Sequence, residues 1–179
     1  MRTIRSASTT VIAAFWFLCC GLMGQSSPLV AASQVIPEKP RTAEQEFLAA
    51  LIVMDAAQLE LQPGNAAAYK ALWARTDDVT LVGGFGGMVE MGWERVSQRL
   101  DWAAAQFSNG TNTIERLITH PNGQLAYVVQ IELIRFQVPG QLQESTRDYR
   151  VTMLFRRESA GWRIIHHHAD SQLMKQAPQ

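Results

Sequence analysis

The sequence predicts an α+β domain in which three N-terminal helices cover the concave face of a strongly curved antiparallel sheet. Apolar residues recur every three to four positions between residues 42 and 107, a spacing typical of amphipathic helices. From Thr111 onward the spacing changes to two, and turn sequences separate the apolar runs. Helices that precede strands along the chain indicate an α+β arrangement of packed layers.

Residues 1–32 have the features of a secretory signal sequence. Arg2 and Arg5 precede an uncharged apolar run at 10–24, which is too short to span a bilayer with ease. Small residues at 30–32 offer a cleavage site. We therefore expect a periplasmic or secreted protein.

The cleavage site predicts a mature chain that begins near Ser33. A cut nearer Gly24 and an uncleaved membrane anchor are the alternatives. Residues 33–41 contain two prolines and no hydrophobic period, which predicts a linker. The domain itself is expected at 42–171, followed by a flexible tail at 172–179.

The composition of the mature chain excludes several classes of protein. Cleavage removes both cysteines, so neither a disulfide nor a cysteine-based metal site is available. It also leaves 14 basic and 16 acidic residues, a formal charge of −2. A chain without a concentrated positive face is not expected to bind nucleic acid. No membrane contact is expected once the signal is removed.

Capping residues and apolar spacing predict the three helices. A capping box at 42–45 begins the first helix, and Pro63-Gly64 ends it. Asn65 can cap a second, shorter helix, which ends near residue 77. Apolar residues from 93 to 107 alternate three and four apart, which predicts a third helix.

A β-branched run at 79–82 predicts a first strand, and four longer strands follow the helices. The short turns between the longer strands favour an antiparallel meander. The second of them would be about 45 Å long if flat, at about 3.3 Å per residue, so the sheet must curl. The helices then close the concave side and leave a conical cavity. The longer strands are expected near 112–119, 124–137, 146–157 and 162–170.

Several segments resemble the NTF2-like superfamily and, within it, the SnoaL-like and DUF4440-type domains. They are the helix end at 73–80, Gly92-Trp93, and the final hairpin at 150–157 and 161–170. That hairpin is also similar to the end of the association domain of calcium/calmodulin-dependent protein kinase II. The resemblance implies a cone-shaped fold over residues 42–171. It does not name a function, because this fold hosts enzymes, assembly modules and transport factors.

The pair His166 and His168 is the first candidate site. Side chains two apart on a strand share a face, so these imidazoles point together while His167 points the other way. Such a pair could bind a ligand, and a histidine is the expected proton-transfer group because its pKa lies nearest neutral pH. His-x-His without two further ligands is a weak zinc signature, so no metal or cofactor is expected.

Four more residues complete the predicted ligand site. Arg150 shares a strand face with Thr152, and periodicity does not decide whether that face meets the cavity or solvent. The family resemblance favours the cavity, where a guanidinium would select an anionic ligand. Trp73, Trp93 and Tyr127 could line the same cavity or belong to the core.

The glycine-rich region at 83–87 bears on the enzyme class. In the related ketosteroid isomerases a carboxylate on the preceding strand acts as the general base, and the matching position here is Gly83. A glycine cannot take a proton, so the resemblance does not extend to that mechanism. Without a following Lys-Ser/Thr the glycines predict a hairpin connection rather than a phosphate loop.

The sequence supports two candidate functions. The first is an exported domain that binds a small molecule in its cavity. That ligand could be anionic, and the domain could perform isomerase, dehydratase or hydrolase chemistry; the sequence does not decide whether it is an enzyme. The alternative is a homodimeric assembly module without turnover, joined through the outward sheet face. We assign five alternate side chains of the second long strand to that outward face: Val128, Gln130, Glu132, Ile134 and Phe136.

Overall fold

A computed structural model describes residues 41–171 of the chain. The predicted signal sequence, the predicted tail and all but the last residue of the predicted linker lie outside the described residues. Within 41–171 no helix is both long enough and apolar enough to cross a membrane.

The helices begin as the sequence predicts, but the second is shorter. Helix α1 spans Ala43–Leu61, α2 spans Ala67–Lys70 and α3 spans Trp93–Ala104. The capping box of α1 is confirmed, since the Gln45 backbone N–H donates to Thr42 Oγ1 at 3.2 Å and the Thr42 N–H donates to Gln45 Oε1 at 3.0 Å.

Helix α2 ends after one turn because the chain that follows it pairs with the last strand. Ile164 donates its backbone N–H to Leu72 at 2.9 Å and accepts from Ala74 at 3.0 Å. The prediction that Trp73 belongs to a longer second helix is therefore wrong. Trp73 forms a parallel bridge to Ile164 instead.

The sheet has six strands, and it is mixed rather than wholly antiparallel. Their order across the sheet is β2-β1-β6-β5-β4-β3. The predicted meander is present in β3 to β6, whereas β1 pairs in parallel with β6. The antiparallel β1–β2 pair encloses the predicted glycine-rich hairpin connection. The strands are β1 Thr80–Val82, β2 Glu90–Met91, β3 Ser108–Asn122, β4 Leu125–Gln137, β5 Glu144–Glu158 and β6 Gly161–Asp170.

Three register irregularities interrupt the long strands. Two lie between β3 and β4, at 108/111 and 116/118, and one lies between β5 and β6 at 154/155. At the irregularity between β5 and β6, Leu154 pairs with His166 and Phe155 pairs with Ile164. Ile165 is therefore the extra residue of a β-bulge. Bulges bend a strand and increase its twist, which is how long strands curl in a small domain.

The core lies between the helices and one face of the sheet, here called the inner face. Phe47 of α1 packs edge-to-face against Phe155 and Trp162, with ring centroids 5.1 and 4.9 Å apart. Val96 and Leu100 of α3 are buried in the same cluster. The helices therefore cover this face of the sheet.

The assignment of β4 side chains to the outward face is wrong. All five alternate residues are buried on the inner face of the sheet. Apolar burial explains three of them. The two polar residues are buried because they bond to each other and to a helix, as described below. The five are Val128, Gln130, Glu132, Ile134 and Phe136.

Candidate functional site

A cavity of about 90 Å³ lies between the helices and the inner face of the sheet. Gln58 of α1, Tyr69 of α2 and Leu100 of α3 form part of its wall. The β1–β2 connection adds Phe85, while the sheet contributes polar side chains that are described in turn below. Its wall is mostly apolar, so the few polar groups define what it can bind.

Glu132 is the buried carboxylate of this cavity. Only 3% of the residue is exposed. Gln58 Nε2 and Gln130 Nε2 donate to its Oε1 at 2.6 and 2.5 Å, and Asn112 Nδ2 donates to its Oε2 at 3.2 Å. Three amides thus fix the carboxyl group in one orientation without providing a counter-charge.

The surroundings of Glu132 favour its protonated form. Burial raises the pKa of the carboxyl group, while the hydrogen bonds from Gln58, Gln130 and Asn112 and the charge of Arg116 partly oppose the rise. Arg116 itself pairs with Asp55 of α1 at 2.5 Å. A raised pKa makes the carboxylate a stronger proton acceptor and keeps the protonated acid available as a donor at higher pH than usual.

Two tyrosines face the same space as Glu132. Burial, followed by the negative charge of Glu132, raises the pKa of Tyr69 well above its usual value. Burial also raises the pKa of Tyr149, although the nearby guanidinium of Arg147 opposes this. The Tyr149 hydroxyl nevertheless has no partner with hydrogen-bond geometry. Both phenols therefore stay neutral and act as hydroxyl groups.

His167 is the histidine that lines the cavity. Burial, followed by the charges of His166 and His168, lowers its pKa to about 4, and a hydrogen bond to the Val82 backbone opposes the shift. The residue as a whole is half-buried, but its Nδ1 atom is buried without a partner. His167 is therefore a neutral imidazole at pH 7, and it offers a hydrogen bond rather than a positive charge.

The predicted pair His166 and His168 shares a face, with ring centroids 6.4 Å apart, but that face is opposite to the cavity. Here we call it the outer face of the sheet. Trp162 and Ile164 point inward, and the bulge at Ile165 shifts the alternation by one, so that His167 points inward as well. On the outer face, Thr80 Oγ1 lies 2.7 Å from His166 Nδ1. Burial, followed by His168, lowers the pKa of His166. Ligand binding by the pair remains a prediction.

Arg150 also lies on the outer face, so the expected location in the cavity is wrong. Its Nε and Nη2 atoms both donate to Asp170 Oδ1, at 3.0 and 2.6 Å. The strand parity that buries Tyr149 and Val151 turns Arg150 away from the helices. The ion pair compensates its charge, so Arg150 does not supply the anion site expected from it.

The three predicted aromatic residues do not line the cavity either. Trp73 is buried in the core, 6.4 Å from the Tyr69 ring. Trp93 begins α3, where the Arg75 guanidinium lies 5.6 Å from its ring centroid. Tyr127 is on the outer face, 5.2 Å from the His120 ring. Their predicted role in ligand binding stays a prediction, at positions outside this cavity.

Only some of the cavity residues were predictable from the sequence. A buried polar pair, Gln130 and Glu132, interrupts an apolar strand face, and this pattern was available in the sequence. The partner from the helix, Gln58, comes from 74 positions away and has no local signal. Within residues 41–171 no three carboxylate, imidazole or thiol groups converge as metal ligands.

Solved structures that are named as NTF2-like proteins share this fold. An NTF2-like protein from Salmonella enterica serovar Typhimurium matches 76% of this chain and 96% of its own, with a TM-score of 0.64 and 15% identity. A candidate dehydratase of the NTF2-like family from Streptomyces avermitilis matches 75% and 100%, with a TM-score of 0.62 and 20% identity. The predicted α+β, NTF2-like fold is thereby confirmed.

A third structure and the family model refine this assignment. A candidate calcium/calmodulin dependent protein kinase II association domain from Xanthomonas campestris matches 78% of this chain and 94% of its own, with a TM-score of 0.58 and 16% identity. The model of the SnoaL-like domain matches residues 52–174, more than half of the chain. The chain belongs to the SnoaL-like family. None of the curated proteins matches it in sequence. The DUF4440-type assignment remains a prediction.

Proposed function

We propose that the domain binds a small, mainly apolar molecule in the cavity and that Glu132 exchanges a proton with it. One observation supports this proposal above the others. A carboxyl group that is 97% removed from solvent lies in an apolar cavity, and only neutral amides hold it. Burying such a group costs free energy, so it is more often retained for function than for stability.

The chemistry available at this site is proton transfer. An ionised Glu132 can accept a proton from a carbon or hydroxyl group of the ligand, and the protonated acid can return it elsewhere on the same molecule. The Tyr149 hydroxyl can donate a hydrogen bond to a ligand oxygen as its charge develops. The neutral His167, whose one N–H is directed at the Val82 backbone, offers an acceptor nitrogen to the ligand. This set of groups suits an isomerase or dehydratase, and one structural neighbour is named as a candidate dehydratase.

The test compares two matched substitutions, Glu132→Gln in the cavity and Glu115→Gln on an exposed position of β3. We expect compounds from a metabolite panel to raise the melting temperature of the full chain. Glu132→Gln should then weaken binding of these compounds about tenfold, and should lower any turnover about a hundredfold or more. Glu115→Gln should match the parent.

A cavity-filling variant provides the complementary control. Ala103 lines the cavity from α3, so Ala103→Leu should block binding while Glu132 stays intact. The proposal fails if no compound stabilises the parent. It also fails if stabilisation is the same in Glu132→Gln and Ala103→Leu as in the parent, because the ligand would then bind elsewhere.

The second candidate function is assembly through the outer face. Half-exposed apolar side chains lie in register there, as in the Ile118–Val129 and Tyr127–Leu154 pairs, and no described element covers them. Apolar residues on a sheet face favour self-association. The neighbour from Xanthomonas campestris is named as a candidate association domain. We infer that a second copy of this chain would cover this face.

We further propose that the domain acts in the periplasm or outside the cell. The support for this lies in residues 1–32, with two arginines ahead of an uncharged apolar run and a small-residue site. The sequence has no cysteine beyond position 20, so the fold of the domain does not depend on a disulfide bond in either a reducing or an oxidising compartment.

A further inference from the structure

The cavity extends from buried Glu132 to a more exposed region beside the β1–β2 connection. Glu132 is buried, whereas Phe85 and Arg99 line the same cavity and are half-buried. A ligand in this space can therefore meet both a buried carboxyl group and a half-buried guanidinium.

Arg99 is held in place while most of its donors stay available. Its Nη2 donates to the Gly86 carbonyl oxygen at 2.7 Å, and its guanidinium lies 4.2 Å from the centroid of the Trp102 ring. A guanidinium has five N–H donors, so one bond to the backbone leaves several for a ligand. Stacking on an aromatic ring restricts the side chain and thereby lowers the entropy lost on binding.

A second cation, Arg147, lies against the same pair of packed aromatic rings as Arg99. Trp102 packs against Phe85 with ring centroids 5.5 Å apart, and the Arg147 guanidinium lies 4.4 Å from the Phe85 centroid. Burial raises the pKa of Tyr149, which lines the cavity, and both arginines oppose that rise.

Neither arginine has an acidic partner within residues 41–171. The ion pairs found there engage one lysine and five other arginines: Lys70, Arg116, Arg135, Arg150, Arg156 and Arg157. Half-buried cations without a counter-charge favour an anionic ligand, because a carboxylate can accept paired hydrogen bonds from a guanidinium.

We propose that the ligand is a small amphipathic carboxylate whose anionic end binds Arg99, with Arg147 beside it, and whose neutral end lies at Glu132. This inference rests on the proposed function and adds the ligand class and its orientation. The reverse orientation would bring two carboxyl groups together in a buried space, which is unfavourable. A cavity of about 150 Å³ accommodates benzene, so a cavity of about 90 Å³ encloses only part of a ring-sized body, and the rest of the ligand extends toward the more exposed Arg99.

The test uses two pairs of probes that differ in charge but hardly in shape. Phenylacetate is compared with phenylacetamide, and hexanoate with hexanamide, by titration calorimetry on the full chain at low and moderate salt. We expect each acid to bind about tenfold tighter than its amide or more, since hydrogen bonds between charged groups are the stronger ones. Added salt should reduce this preference.

Three substitutions assign the preference to Arg99. Arg99→Gln should weaken binding of the acids to the level of the amides and leave the amides unchanged. Arg99→Lys keeps the charge, and it should retain part of the preference even if Arg99→Gln folds poorly. Arg163→Gln is the matched control, because Arg163 bonds to the backbone of Ala71 and Ala160 outside this cavity.

The outcomes separate this inference from the function on which it rests. Equal binding of acid and amide, or acid binding that Arg99→Gln leaves unchanged, would overturn the carboxylate assignment and leave cavity binding intact. Failure of all four probes to bind the parent would count against both. Binding that survives Ala103→Leu with its acid preference intact would place the anion site outside the cavity, and the inference would be wrong.

Discussion

His167 and Glu132 line one cavity, yet burial shifts their pKa values in opposite directions. Burial lowers the pKa of His167 to about 4 and raises the pKa of Glu132, since in each case it disfavours the charged form. Both groups are therefore biased toward neutrality at the pH where they meet a ligand. These two residues therefore supply a proton donor and an acceptor while the charged form of each is disfavoured.

The lowered pKa of His167 predicts acid sensitivity in a defined pH window. The unfolded chain binds a proton at His167 near pH 6.5 and the folded chain only near 4, so stability is lost as pH falls between these values. The loss is about 3 kcal/mol. His167→Gln should reduce it, as measured by urea denaturation at several pH values. His120→Gln, on the outer face, is the control, and an identical pH profile for His167→Gln would contradict the assignment.

Glu132 also makes stability depend on pH, but in the direction opposite to His167. Its folded pKa is raised, so the folded chain binds more protons above the usual carboxyl range, and stability falls as pH rises through that interval. In Glu132→Gln the new side-chain amide would face the Nδ2 donor of Asn112. Asn112 Oδ1 has no partner, so a flip of the Asn112 amide would let this oxygen accept a hydrogen bond from the new amide. In the urea series Glu132→Gln should therefore remove this decline without a large loss of stability.

The histidines show what a sequence can and cannot predict about single residues. Alternation correctly separates His167 from its two neighbours. The inserted residue Ile165 then reverses which of them meets the helices. A bulge depends on the pairing of two strands, so it leaves no mark in the alternation of either one.

Among the elements, the β1–β2 connection depends on a close approach at Gly84. A Cβ added there would lie 2.5 Å from Cε1 of the Tyr149 ring, which is closer than van der Waals contact allows. Gly84→Ala should therefore displace Tyr149 and cost about 1 to 3 kcal/mol of stability. Chemical denaturation measures the loss, and a fluorescence titration with phenylacetate measures the effect on the cavity.

Gly83→Ala is the matched control for this substitution. Its added Cβ would meet only the tip of the flexible Arg99 side chain, at 3.2 Å. A Gly84→Ala protein as stable as Gly83→Ala would show that the ring has room to move. The sequence predicted the glycine-rich segment as a hairpin connection. It did not predict that position 84 requires glycine, because that requirement comes from Tyr149 of β5.

Local signals predicted most of the elements. The capping box fixed the start of α1, and turn residues placed β4, β5 and β6 to within a few positions. The truncated α2 and the parallel β1 were not predictable in this way. Both result from pairing with β6, whose residues lie about 90 positions away in the chain.

For the whole molecule, self-association is the property that the outer face predicts. Leu154 is 37% exposed on that face, where it pairs with Tyr127. Leu154→Glu should therefore disrupt a dimer. Leu142→Glu is the matched control, because Leu142 is 93% exposed in the β4–β5 connection. Light scattering should give a dimer for the parent and Leu142→Glu and a monomer for Leu154→Glu. A monomeric parent at micromolar concentration would rule out assembly through this face.

The parallel pairing of β1 with β6 has a consequence for how the protein matures. Thr80 to Val82 pair with His166 to His168, so this seam joins segments more than 80 residues apart. The entropy of closing so large a loop makes the contact one of the slowest to form. Phe85 follows β1 and His167 lies within β6, so a chain still emerging from the ribosome has no complete binding chamber until β6 has been made.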